Sequence, residues 1–235
     1  MNKARNALRY GLSVGIDFVS GVPSPDALPQ TQRSDSLSDA NFGSDTAHMM
    51  KHNFPSTDHI RSYSSFSSPA GNNRLSQELV QKTFVLSNIS PQVGRGFNRG
   101  IWNRLEQYVR YRARKSINTW VCTGPLFLPY NESNGKKYDK YEVIGGNDVA
   151  VPTHFFKVLL VESAPNVFEL ECYVIQNKPM DDNIPLHAFQ VLLNSIERAA
   201  GFLIFEKIPR NEIQKINGLN PYLQKFLSNQ PKHAK

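Results

Sequence analysis

Only two cysteines, Cys122 and Cys172, occur in the 235 residues, and both sit inside apolar, strand-like runs. A disulfide framework or a thiolate metal cage is therefore not expected, and two buried free thiols are. No stretch approaches about 18 uninterrupted apolar residues, so no membrane-spanning helix is expected. Acidic residues are absent before Asp17, whereas Lys3, Arg5 and Arg9 stand in the opening MNKARNALRYGLSVGIDFVSG. This acid-poor, Arg-containing start has no clean apolar run of the secretory kind. It has the character of a mitochondrial targeting segment, with an ordinary basic terminus as the alternative. The whole chain carries 27 Lys and Arg against 20 Asp and Glu, a net charge of +7 with a pI near 9.4. Such an excess suits a nucleic-acid or anionic-membrane partner, and is also common in subunits of large ribonucleoprotein particles. With 40% apolar residues, the chain can pack one large core or two small ones.

Periodicity is what residues 20–73 lack. They are dense in Ser, Asp, Asn and Pro, and keep neither a period of 2 nor one of 3.6. Disorder, or an irregular extension ordered only against a partner, is the expectation. His48, His52 and His59 lie there near Asp45 and Asp58, but without cysteine or a helical frame they read as scattered surface histidines rather than a metal cluster. The chain thus divides into a targeting or basic segment over 1–20, the extension over 21–75, a folded domain over 76–210 and a basic tail over 211–235.

Within the folded part, Ser76 to Lys82 reads as a short helix, Thr83 to Ile89 as a strand, and Ser90 to Phe97 as a loop holding Pro91, Gly94 and Gly96. A helix is predicted from Arg99 or Gly100 to Arg114, because Trp102, Leu105 and Val109 recur at spacings of three and four. Asn98 stands where an N-cap belongs. Asn98 and Glu106, about two turns apart, are too far separated for an i,i+4 pair. Strands follow over Asn118 to Leu128 (broken after Thr123 by Gly124-Pro125), Tyr141 to Ile144, Val151 to Leu160 and Phe168 to Ile175, with a polar turn over Tyr130 to Tyr138. A helix closed by Gly201, a short strand over Phe202 to Phe205 and a helical piece over Leu223 to Leu227 complete the reading. Strands outnumber dispersed helices, so the class is α+β.

The blocks LSNISPQ, FNRGIWNRLEQYVR and VCTGPLFLP, followed by YEVIGGNDVAVPTHFFKVLL and ERAAGFLIFEKIP, occur in an order and spacing similar to those of the DNA/RNA non-specific endonucleases of the ββα-metal type, the endonuclease G branch in particular. The resemblance spans roughly Ser76 to Pro209. It implies a central antiparallel sheet, a magnesium-bearing long helix, a mitochondrial location and a tendency to dimerise. It also implies that Asn98 and Glu106 correspond to the metal-holding residues, and that Asn88 is the strand Asn beside the catalytic His. The Asp-Arg-Gly-His signature of such enzymes falls on Tyr63, Ser64, Ser65 and Phe66, counted back from Ser76. A phenyl ring accepts no proton, so no general base is expected there.

The first expectation for function is therefore a catalytically inactive, endonuclease G-like protein, not an enzyme. It would serve as a structural, RNA-associated subunit of a mitochondrial assembly, the mitochondrial ribosome foremost, contacting RNA or DNA phosphates and other subunits of the complex. Arg95, Arg99, Arg104, Arg110, Arg112, Arg114 and Lys115 would supply the contacts, and no cofactor, or at most weakly bound Mg²⁺, is expected. The alternatives are a magnesium-dependent, non-specific DNA/RNA endonuclease of weak activity and a regulatory dimer partner of an active nuclease.

Overall fold

The run Phe155 to Val161 is apolar at every position except Lys157, a pattern that suits a strand covered on both faces. The computed structural model describes residues 15–20, 61–65, 89–145, 148–218 and 223, and it places that run at the centre of the sheet. The elements in chain order begin with β1 (Gly15–Ser20), β2 (Arg61–Ser65) and β3 (Ile89–Val93). An irregular, wide-turned helical segment (Gly94–Trp102) leads into α1 (Asn103–Ala113), and β4 (Asn118–Leu126) follows. Next come two small hairpins, β5 (Tyr130–Asn131) with β6 (Lys137–Tyr138), and β7 (Val143–Ile144) with β8 (Val149–Ala150). The long strands β9 (His154–Ala164) and β10 (Val167–Gln176), then α2 (Leu193–Ala200) and β11 (Ile213–Ile216), complete the fold.

The main sheet has the order β1-β4-β9-β10-β11, antiparallel except for the β10–β11 pair. Alternation along β9 sends Phe155, Leu159 and Val161 to one core and Phe156, Val158 and Leu160 to the other. The first core packs the irregular segment through Trp102 and α1 through Leu105, Tyr108 and Val109. The second packs α2 through Leu193, Ile196 and Ala200. Helices on opposite faces of one sheet give the α+β class expected, with the single parallel pair as the departure from a fully antiparallel sheet.

Both cysteines face the α2 core, each opposite Val158 on the strand between them, so they lie two strands apart and stay free. Strand spacings put their backbones about 10 Å apart, beyond disulfide reach.

Several local expectations change. Residues Ser90 to Val93, expected as loop, are strand, because β3 pairs with β2 from Ser65↔Ile89 to Arg61↔Val93. β2 itself lies inside the stretch expected to be irregular, and β1 lies inside the segment expected for targeting, as an edge strand of the sheet. The β4 strand runs unbroken through Gly124-Pro125. Among the described residues the β1 ladder reaches only Gly15↔Thr123, and Pro125 has a neighbour on the β9 side. Phe202 to Phe205 is not a strand. The strand at the end of the sheet opposite β1 is β11, in the basic stretch after Lys207, where Asn217 at φ +57° donates from its backbone to Leu170 O (2.8 Å) and accepts from Cys172 N (2.8 Å). Gly201 closes α2 as expected, its φ of +84° giving a left-handed cap with N–H to Glu197 O at 2.8 Å. The helix expected over 76–82, most of the strand over 83–89 and the piece over 223–227 lie outside the described residues, apart from Ile89 and Leu223.

Candidate metal and nucleic-acid site

Glycines decide the shape of the segment that carries Asn98. Three of its nine residues are Gly, a poor helix former, and the backbone leaves helical geometry at Arg95, Gly96 and Gly100. A regular helix begins only at Asn103, so Asn98 does not occupy the expected cap. The capping position is Trp102, with no side-chain cap bond. Asn98 is half-buried and is engaged in polar contact. Glu106 is half-buried in the first turn of α1, where the helix dipole favours a carboxylate. Phe97, Trp102 and Phe155 lock the segment to the sheet, with ring centroids 5.5–5.7 Å apart.

Further along α1, a buried polar network ties the helix to β10. Tyr108 donates to both oxygens of Glu171 at 2.9 Å, Tyr173 donates to Oε2 at 2.6 Å, and Arg112 Nε reaches Oε1 at 3.3 Å. Arg112 also pairs with Glu169. Burial, with Glu171 next, holds the Tyr173 phenol well above its usual pKa. Arg112 is 0% exposed, so it is removed from the set of phosphate-contacting cations: its work is inside the fold. Of the others, Arg95, Arg99, Arg114 and Lys115 are exposed, while Arg104 and Arg110 are half-buried. Arg104 donates through Nη2 to Ile184 O at 2.7 Å. Burial lowers its pKa, and the charge of Asp182 works the other way.

The signature positions fall at the second sheet. Tyr63, Ser64 and Ser65 pair with Pro91, Ser90 and Ile89. Phe66 and Asn88, and the three histidines at 48, 52 and 59, lie outside the described residues. Among the described residues no group of three His, Cys, Asp or Glu side chains is placed to hold a metal. A site built on Asn98 and Glu106 therefore has one amide and one carboxylate. Both are hard oxygen donors, and both are partly open to solvent. That set fits Mg²⁺ in kind, since this ion keeps several waters and is bound through one or two carboxylates with substrate phosphate completing the shell. No helix among the described residues is long and apolar enough to cross a membrane.

The sheet with its segment-and-helix unit defines a nuclease-like fold of the ββα-metal kind. The chain belongs to the DNA/RNA non-specific endonuclease family, whose model matches residues 38–211. It is 54% identical over 149 residues to the mitochondrial endonuclease G of Caenorhabditis elegans, covering 63% of this chain and 48% of that one. Against the mitochondrial endonuclease G of Homo sapiens it is 53% identical over 139 residues, covering 59% and 46%. The chain thus spans about half the length of these curated relatives. A chain in the crystal structure of the EndoG/EndoGI complex, which concerns the mechanism of EndoG inhibition, superposes with a TM-score of 0.72 at 38% identity, over 88% of this chain and 83% of that one.

These similarities correct the functional expectation. Identities of 53–54% to endonucleases over 139–149 residues overturn the reading of an inactive, ribosome-associated RNA-binding subunit and the conclusion that the chain is not an enzyme. The expected mitochondrial location agrees with these relatives, both mitochondrial by name.

Proposed function

We propose that this chain is a mitochondrial, divalent-metal-dependent phosphodiesterase that cleaves DNA and RNA without sequence preference and at low rate. The observation that carries the reading is the pair of half-buried oxygen donors, Asn98 and Glu106, on the helical unit of an endonuclease G-like fold. In this reading the two residues hold Mg²⁺, which when bound supplies positive charge against the charge building on the phosphate oxygens. Arg95 and Arg99, exposed on the same segment, hold the phosphate backbone from the protein side, with Arg114 and Lys115 at the far end of α1 extending the electropositive track. Such contacts read no bases, which accounts for acceptance of both DNA and RNA.

The low rate follows from the sequence. Phe66 stands where the family signature has its His, and Tyr63, Ser64 and Ser65 precede it. Loss of a side-chain base removes about 10²–10⁴-fold of rate, and leaves the contributions of phosphate positioning and charge. Nucleic acid and any protein partner, such as the inhibitor bound by the similar chain, belong to this proposal.

The test is cleavage of supercoiled plasmid and of a long RNA by the full chain, with Mg²⁺ and with EDTA. Slow, Mg²⁺-dependent nicking that is lost in Asn98→Ala and Glu106→Gln is expected. Absence of cleavage at any protein concentration, or cleavage indifferent to both substitutions, refutes the proposal.

A further inference from the structure

The connection from β10 to the short 3-10 turn at Leu186–Phe189 lies across the segment that carries Asn98. Residues 177–184 (NKPMDDNI) form a compact strap with several anchors of its own. At its start Asn177 accepts from Val93 N at 2.8 Å and donates to Pro152 O at 2.9 Å and Pro91 O at 3.2 Å, which joins the end of β3 to the end of β10. Met180 packs against the α1 core. Asp181 Oδ1 accepts from both the backbone and the side-chain nitrogen of Asn183 at 2.8 Å, and Ile184 N returns to Asp181 O at 3.2 Å, so the tip is a closed turn.

The strap meets the segment at two of its glycines. A Cβ on Gly96, whose φ is +77°, would lie 2.8 Å from Met180 N and 3.1 Å from Pro179 Cα. A Cβ on Gly100 would lie 2.3 Å from Asp182 Oδ1. Asn98 is midway between them. At the end of the strap Arg104 donates to Ile184 O, and its charge faces Asp182. The strap thus touches the turn on both sides of Asn98 and continues onto the first turn of α1, two residues before Glu106.

We infer that the 177–184 strap positions the Asn98 turn for metal holding, with Asp182 as its positioning residue. The inference rests on the metal reading above. Asp182 is exposed, and its carboxylate lies over Gly100 with its charge facing Arg104. Asn98 sits on a wide-turned helical segment whose backbone leaves helical geometry at Arg95, Gly96 and Gly100, and the strap meets it at two of those three positions.

The experiment uses the full chain with Mn²⁺ as the probe, read by electron paramagnetic resonance without nucleic acid, together with hydrogen exchange over residues 94–102. Asp182→Ala is expected to weaken Mn²⁺ by about tenfold or more, the usual effect of removing a group that orients a ligand, while the melting temperature stays near that of wild type. Gly100→Ala, which puts a methyl group where the carboxylate lies, is expected to do the same. Asp182→Asn keeps a side chain of the same shape over Gly100 and should restore most of the affinity. Exchange over 94–102 should lose protection in Asp182→Ala and regain it in Asp182→Asn, whatever the metal does. Unchanged Mn²⁺ affinity in Asp182→Ala, with wild-type affinity lost in Asn98→Ala, overturns the strap's role and leaves the metal reading standing. A wild type that takes up no Mn²⁺ overturns the metal reading and the strap's role in it. Unchanged exchange would then show that the strap does not hold the turn at all.

Discussion

Removing the Glu171 carboxylate tests whether the buried network holds α1 to the sheet. Glu171 is 2% exposed and Arg112 0%, and the carboxylate accepts from two phenols and a guanidinium. Deleting one member of a buried pair costs about 3–5 kcal/mol, because the remaining charge has already lost its water. Arg112 keeps Glu169 as a second carboxylate, and that partner is 20% exposed, so the lower end of the range is expected for Glu171→Ala. Glu171→Gln retains the shape and an acceptor oxygen but loses the charge, and should cost about 1.5–3 kcal/mol, the worth of one charged hydrogen bond. Domains of ordinary stability have about 5–15 kcal/mol in all, so either change should be plain in a urea transition. The double variant Arg112→Met/Glu171→Leu removes both charges, and should recover most of the loss in a double-mutant cycle. A cost below about 1 kcal/mol for Glu171→Ala, the value of an exposed pair, would refute the argument.

Three further outcomes follow. Converting Tyr63-Ser64-Ser65-Phe66 to Asp-Arg-Gly-His should raise Mg²⁺-dependent plasmid nicking, by up to about 10²–10⁴-fold if only the base was missing; no gain would locate the deficiency elsewhere. Arg95→Ala/Arg99→Ala should weaken RNA at low salt and lower the slope of log K against log salt by about 2, measured by filter binding, whereas Arg112→Met should act on stability. Burial raises the Cys172 thiol to about 12 and the Tyr173 phenol well above its usual value. Both folded-state values exceed their unfolded ones, so the unfolded chain loses these protons first. Stability present below pH 9 should therefore fall between pH 9 and about 12, and Ellman's reagent at pH 8 should react with neither Cys122 nor Cys172 until the chain unfolds.

Local signals carried the α+β class, α1, the β9 and β10 strands and the cap at Gly201. Each is written in periodicity, a continuous apolar run or a single glycine, and none needs a distant partner. The free thiols were equally legible, since Cys122 and Cys172 sit in strand runs that a two-faced sheet buries. Position within the sheet was not. Arg112 looks like its neighbours Arg110 and Arg114 in sequence, and only the packing of α1 on β10 brings it to Glu171 and removes it from solvent. β11 and β3 are strands because β10 and β2 supply their hydrogen bonds, and short polar stretches such as IQKI and ISPQV carry too little pattern to declare it. The strap across Asn98 was invisible for the same reason: a polar loop and two glycines separated by some eighty residues have no local sign of each other. The contact exists because a residue without Cβ lets Met180 and Asp182 approach the backbone, and that approach is decided only when β10 delivers the loop to the segment.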